Sequence, residues 1–172
     1  MRWPTLSSNS ISPLLTFSFD TEGLFGYLPD SSFSTSSNWD PLHGVEGCRL
    51  NAKAGTNKES GWCAGANNGE QWIMADLGDV RAINGISLQG RGNPGYGQKV
   101  TKFALKVSTD GTNFEEVRGD LEDGKFEGMR RDSDDTVFRP VYPPVSARYV
   151  RLQPIDWVNH ISLRWEVFAK MQ

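Results

Sequence analysis

A chain of 172 residues, 37% hydrophobic and 23% charged, is long enough for one domain with a sizeable core plus a tail, and by composition is neither disordered nor membrane-spanning. No apolar run approaches the roughly 18–20 residues that a spanning helix needs. A formal net charge of -3 supplies no general basic field, which argues against nucleic acid as a partner and, more mildly, against simple electrostatic docking on anionic lipid.

In chain order, residues 1–22 read as an N-terminal extension, flexible or partly docked, ahead of a domain over 23–172. Met1 to Phe19 is Ser-rich, contains Pro4 and Pro13, and has only a weak apolar patch at Leu14 to Phe17, shorter than the apolar region of a secretory signal. Asn38 to Gly44 is a turn-rich excursion carrying Trp39, and Cys48 to Asn51 reads as a short strand. Ala52 to Gly61 is a second, polar excursion containing Lys58 and Glu59. The Gly/Asn-rich turn Gly61 to Gly69 runs into a strand at Trp72 to Leu77, which puts Ile73, Ala75 and Leu77 on one face. Asp76, beside the Gly78-Asp79 turn, is placed to accept backbone N–H groups.

Ile83, Ile86 and Leu88 mark the next strand, with Asn84-Gly85 predicting a bulge inside it. Gly90 to Gly97 is a third excursion. Phe103, Leu105 and Val107 alternate with Lys102, Ala104 and Lys106, a half-buried strand, and Asp110-Gly111 signals a hairpin into Asn113 to Val117. Gly119 to Asp135 reads as a long charged surface connection. Strand character resumes at Thr136 to Tyr142, turns at Pro143-Pro144, and continues in Arg148 to Leu152 and Ile161 to Phe168. No helical period is sustained anywhere. Seven or eight short strands at this spacing make the fold class all-β, an antiparallel sandwich or jelly roll.

The central stretch Gly61 to Gly78 carries a resemblance, together with Ser87-Leu88-Gln89-Gly90-Arg91, Val107-Ser108-Thr109-Asp110-Gly111, Pro143 to Arg151 and His160 to Glu166. In order and interval these motifs resemble the discoidin domain, also called the coagulation factor five/eight type C domain, over roughly Gly26 to Phe168. The resemblance implies that Gly26 to Ser37 is the domain's opening strand. It also implies that Asn38–Gly44, Ala52–Ser60 and Gly92–Lys99 are three binding loops converging at one end of the barrel. Candidate ligand-binding residues there are Trp39, Asp40, His43, Asn57, Lys58, Arg91, Asn93, Tyr96 and Lys99. Aromatic rings offer rigid area for a sugar ring or an apolar side chain, and the polar groups offer oriented hydrogen bonds or a salt bridge. Against this stands an ordinary reading, in which Trp39 packs beneath its own loop and Arg91 pairs internally.

Other residues read as structural. Trp62, Trp72 and Trp165 are expected in the core, and His160 and Trp157 belong to the closing motif. Arg148, Arg151 and Arg164 are expected to partner carboxylates such as Asp76 and Glu166. Cys48 and Cys63 allow either a disulfide or two buried thiols, with the thiols preferred; the family's disulfide between the domain's ends has no cysteines here to form it. Arg118-Gly119-Asp120 spells an integrin-type tripeptide but coincides with the family's ordinary turn. Asp132, Asp134 and Asp135 invite a calcium reading, which some relatives make conceivable, yet they lack the EF-hand's Gly and terminal Glu and read as a solvated acidic loop. Catalytic motifs are missing: two His without metal-ligand spacing, no nucleophile elbow, and a Gly-rich run without the phosphate-loop Lys.

The sequence thus predicts a non-catalytic recognition and adhesion module without a cofactor, calcium aside. The resemblance implies a glycan or a cell-surface or matrix protein as partner, in an extracellular setting within a larger protein. Two alternatives stand beside it: a phosphatidylserine-type anionic lipid partner, and an intracellular scaffold domain in the cytoplasm.

Overall fold

The computed structural model describes residues 21–131 and 134–171. The predicted extension falls almost wholly outside the described residues, as does Asp132. Nine strands are present among the described residues: β1 (Thr21–Gly23), β2 (Phe33–Thr35), β3 (Trp62–Cys63), β4 (Ile73–Gln89), β5 (Lys99–Ser108), β6 (Glu115–Val117), β7 (Phe126–Glu127), β8 (Val137–Val158) and β9 (Ser162–Lys170). The only helical elements among these residues are single 3-10 turns, such as Val45–Gly47 and Pro94–Tyr96. The fold is the all-β, antiparallel architecture expected.

The main sheet runs β1-β9-β4-β8-β5-β6, with β2 added to β4, β7 to β5 and β3 to β9. The long strands β4 and β8 change register between Asp76 and Arg81 and again between Ile83 and Gly85, so their two halves curve around one core. The second shift is the bulge that Asn84-Gly85 predicted. Gly85 is required there because the Phe138 ring lies over it, and an added Cβ would fall 2.3 Å from Phe138 Cζ. Ile73, Ala75, Leu77, Phe103, Leu105 and Val107 are all buried, as alternation requires. They join Phe25, Trp62, Trp165, Val150 and Leu152 in one apolar cluster. Burying such side chains contributes about 1.5–3 kcal/mol each and is the main source of stability.

Several expectations are corrected. Gly26 to Ser37 is not one strand: 3-10 turns at Phe25–Tyr27 and Asp30–Ser32 precede the short β2. Cys48 to Asn51 is not a strand: a 3-10 turn at Val45–Gly47 precedes it, and only Arg49 makes a bridge, to Trp165. The connection after Gly119 is not wholly superficial, because Phe126 stacks on Phe103 (5.2 Å, 12°) and both Phe126 and Met129 are buried, which creates β7. The segments on either side of Pro143-Pro144 form one bent strand, β8. Its prolines lie where no third strand demands their N–H groups. Trp72 is only half-buried and lies on the outer face, with the Arg151 guanidinium between it (5.4 Å) and Phe114 (4.1 Å).

Arg148 forks onto Asp76 at 2.8 and 2.9 Å, as expected, and this pairing holds the Asp76 carboxyl below its usual range. Arg164, fully buried, pairs with Asp134 and not with Glu166. The Glu166 carboxylate instead accepts the N–H groups of Leu24, Phe25 and Val167. It therefore pins the start of the domain to its last strand, in a chain that lacks the cysteines for a terminal disulfide. Cys48 and Cys63 are buried free thiols; burial pushes Cys48 up to about 12 and raises Cys63 as well.

The Arg118-Gly119-Asp120 tripeptide is bound into a tight hairpin. Gly119 packs against Lys125 O, and Asp120 Oδ1 accepts Glu127 N at 3.0 Å. Asp134 is spent on Arg164, and among the described residues no group of three His, Cys, Asp or Glu side chains is set to hold an ion.

Candidate functional site

The first excursion is fixed to the barrel from below. Trp62 Nε1 donates to Ser37 O (3.0 Å), Trp39 N donates to Cys63 O (2.9 Å), and Cys63 N donates to His43 O (3.1 Å). The loop thus rides on β3 without a regular strand of its own. Within it, Asp40 Oδ1 accepts Leu42 N at 2.8 Å and sits 2.6 Å from His43 Nδ1. The His43 hydrogen bond is the main reason the Asp40 carboxyl titrates below its usual range. The third excursion is tied to the second through Gly92 N to Ser60 O (3.0 Å), and closes on itself through Arg91 N to Gln98 O (3.0 Å).

These ties place Arg91 at the centre of a polar cluster. Arg91 is only 9% exposed, and its Nη2 lies 3.0 Å from His43 Nε2 and 3.3 Å from Glu59 Oε2. Its Nη1 donates to Gln98 Oε1 at 3.2 Å, and the guanidinium carbon stands 4.3 Å from the Tyr96 ring centroid. Arginine has only donors, so His43 Nε2 accepts from it, and the Nδ1 proton points to Asp40. Carboxylate, imidazole, guanidinium and carboxylate form one chain, Asp40–His43–Arg91–Glu59. Gln98 is itself held, with its Oε1 3.1 Å from Ser162 Oγ on β9.

Two aromatic side chains flank this cluster. Trp39 is 61% exposed and stands edge-on to the His160 ring at 5.3 Å, not beneath its own loop. His160 is fixed on both nitrogens: Nε2 donates to Ala64 O (2.8 Å), and Nδ1 accepts from Asn67 Nδ2 (3.1 Å). Tyr96 is 49% exposed, and its carbonyl accepts Asn159 Nδ2 at 2.8 Å. The adjacent residues Asn159 and His160 therefore support one aromatic each.

Of the nine candidates, the fold gathers Asp40, His43, Arg91 and Tyr96, with Trp39 supported alongside. Arg91 does pair internally, yet its pairing partners are the other candidates. Asn93 is exposed and caps its own turn through Gly95 N (3.3 Å). Lys99 donates to Arg131 O at 2.6 Å. Asn57 and Lys58 face a separate cleft with Asp30, Glu46 and Arg49.

Sequence reading missed Glu59, Gln98 and His160 as parts of this surface. Glu59 and its neighbour Lys58 diverge, Glu59 toward Arg91 and Lys58 toward a separate cleft, and no local signal in the sequence distinguishes them. Gln98 and His160 gave none, because their roles depend on β9 meeting the loops.

The chain is similar to known proteins. The family model described as F5/8 type C domain matches residues 31–167. Hemocytin of Bombyx mori is 36% identical over 145 residues, covering 83% of this chain and 4% of that protein. Discoidin II of Dictyostelium discoideum superposes with a TM-score of 0.75 at 26% identity, covering 88% of this chain and 59% of that one. A Clostridium perfringens module, solved in complex with GalNAc-β-1,3-galactose, superposes at 0.59 with 22% identity, covering 86% of this chain and 100% of that one. At that identity the last shows the common fold alone. This chain spans only a small part of hemocytin and little more than half of discoidin II. With the family model covering most of its length, the chain belongs to the F5/8 type C, or discoidin, domain family.

Proposed function

We propose that this domain is a non-catalytic glycan-recognition module whose site is the loop face formed by Trp39, Asp40, His43, Glu59, Arg91 and Tyr96. Domains of this family bind carbohydrates or proteins, and this domain alone is not catalytic. One observation carries the reading: Arg91 is immobilised by His43, Glu59, Gln98 and Tyr96, while Trp39 and Tyr96 stay exposed beside it. Sugar hydroxyls each donate and accept, so they suit the fixed carboxylates of Asp40 and Glu59 and the guanidinium of Arg91, while His43 holds the set in place. The C–H faces of a pyranose suit an aromatic wall. Because the groups are already held, little ordering entropy is lost on binding.

Charge supports a sugar over an anionic headgroup. Arg91 is neutralised by Glu59 and, through His43, by Asp40, which leaves the cluster without a net positive charge. We place the domain in a longer extracellular or cell-surface protein, a reading supported by its 4% share of hemocytin.

The test is a glycan array probed with wild type, Trp39→Ala and Tyr96→Ala, with and without calcium. Discrete hits, lost in either variant and indifferent to calcium, support the proposal. A blank array overturns it, and binding to phosphatidylserine vesicles in that case would point to a lipid partner instead.

A further inference from the structure

We infer that a second saccharide subsite adjoins the Arg91 cluster, in the cleft that takes Asn57 and Lys58, and that the preferred ligand is an oligosaccharide spanning both. This rests on the glycan reading above. The cleft is open to solvent and offers about 350 Å³ between the tip of the second loop and the chain at Asp30, Glu46 and Arg49. That volume falls at the lower end of small-molecule sites, about 300–1,000 Å³.

Its two walls differ in a way that matters for binding. Arg49 is fully committed: Nε donates to Phe25 O (3.2 Å), Nη2 to Leu28 O (2.7 Å) and Nη1 to Asp30, with the guanidinium over the Phe33 ring. On this wall Arg49 and Asp30 are therefore spent, whereas Glu46 beside them and the groups of the facing loop are not. Among the described residues the Glu46 carboxylate, the Thr56 hydroxyl and the Asn57 amide hydrogen-bond to no side chain or backbone group, and Lys58 Nζ reaches only Glu46 O, at 3.5 Å. Donors and acceptors of both charges therefore line one opening, without an excess of either sign. A neutral polyhydroxylated ring fits such a lining better than a phosphate or a carboxylate.

The two sites share a wall. Lys58 lines the cleft while its neighbour Glu59 reaches Arg91, so the backbone at Lys58–Glu59 separates the two. This stretch is anchored on both sides, by Glu59 N to Leu42 O (2.7 Å) and by Gly92 N to Ser60 O (3.0 Å). At the loop tip, Gly55 N donates to Lys58 O (2.8 Å). A glycan with one ring on Tyr96 and Trp39 can pass over this stretch and set its next ring against Asn57 and Lys58.

Calorimetric titration with galactose and with GalNAc-β-1,3-galactose tests this in wild type, Tyr96→Ala, and the double variant Asn57→Ala with Lys58→Ala. The disaccharide is expected to bind wild type about tenfold more tightly than galactose. The double variant is expected to bring the disaccharide down to the galactose level, with galactose affinity within about twofold of wild type. Tyr96→Ala is expected to weaken both sugars. Glu46→Gln, on the opposite side of the cleft, should lower disaccharide affinity in the same direction. Equal affinities for the two sugars, or full disaccharide affinity in the double variant, overturn the second subsite alone. No binding of either sugar to wild type overturns the second subsite, and only a blank array overturns the glycan reading with it.

Discussion

Arg91 and Tyr96 form a stacked pair, the guanidinium carbon 4.3 Å from the ring centroid, in which one partner is buried and the other half exposed. The base of the candidate site and its aromatic wall are thus one unit. Such a pair contributes about 0.5–1 kcal/mol where solvent reaches it, more where it does not. Tyr96→Ala should therefore shift stability little while lowering glycan affinity at least about tenfold. Tyr96→Phe keeps the ring and should stay within about threefold of wild type. Calorimetry and thermal melts on both variants check this, and equal losses in the two would assign the role to the hydroxyl.

Gly47 lets the turn before Cys48 pack directly on the backbone of the second loop. An added Cβ would meet Glu59 O at 2.1 Å and Gly61 N at 2.9 Å, and neither backbone atom can move without displacing the second loop. Gly47→Ala should cost about 1–3 kcal/mol, the usual range for overpacking. It should also weaken binding, because Glu59 leaves Arg91. Gly26→Ala, where nothing lies within 4 Å of the new methyl, is the matched control and should be nearly silent. Urea unfolding of the two variants decides.

Glu166 predicts an unusual pH response. Burial raises its carboxyl above 4.5, outweighing the amide groups of Phe25, Val167 and Leu24 that favour the charge. The folded state then holds its proton at a higher pH than the unfolded state does. This group's contribution to stability accordingly rises as pH falls through the folded value toward 4.5, and is lost as pH rises through it. Glu166→Gln can still accept the backbone N–H bonds and carries no charge. The stability of wild type relative to this variant should increase between pH 7 and pH 4.5. A pH-independent difference in denaturant unfolding, or one of opposite sign, would contradict the assignment.

The two thiols should be inert in the native protein. Cys48 is fully buried and its thiol is pushed up to about 12, and Cys63 is raised by burial too. Thiolate is the reactive form, so a maleimide should label neither residue until denaturant is added, and then both. Reductant should leave the melting temperature unchanged. Native labelling of either cysteine would contradict the packing.

Much of this fold is legible in local chemistry. The alternation of Phe103, Leu105 and Val107, the Asn84-Gly85 bulge and the Asp110-Gly111 turn each follow from a few neighbouring residues. Elements whose partners are distant in sequence were harder to read. Arg49 bridges only to Trp165, so the segment around it resembled a strand without becoming one. Phe126 acquires β7 only because Phe103 offers a stacking face. Trp72 was assigned to the core by residue type, yet strand parity puts it opposite Ile73, on the Arg151 face. The loop residues show the same limit. Asp40 and His43 are three apart and their pairing is local, whereas the contacts of Glu59 and Gln98 with Arg91 arise from how separate loops meet.

The central claim is that the loop face around Arg91 is where a glycan binds. A nitrogen-15 NMR titration with galactose and GalNAc-β-1,3-galactose locates any bound sugar residue by residue. The account predicts shifts centred on Trp39 (its indole N–H included), His43, Glu59, Arg91 and Tyr96, with Asn57 and Lys58 responding to the disaccharide alone. Saturable shifts centred elsewhere, such as the exposed Phe138–Tyr142 surface, or no shifts with either sugar, would contradict it.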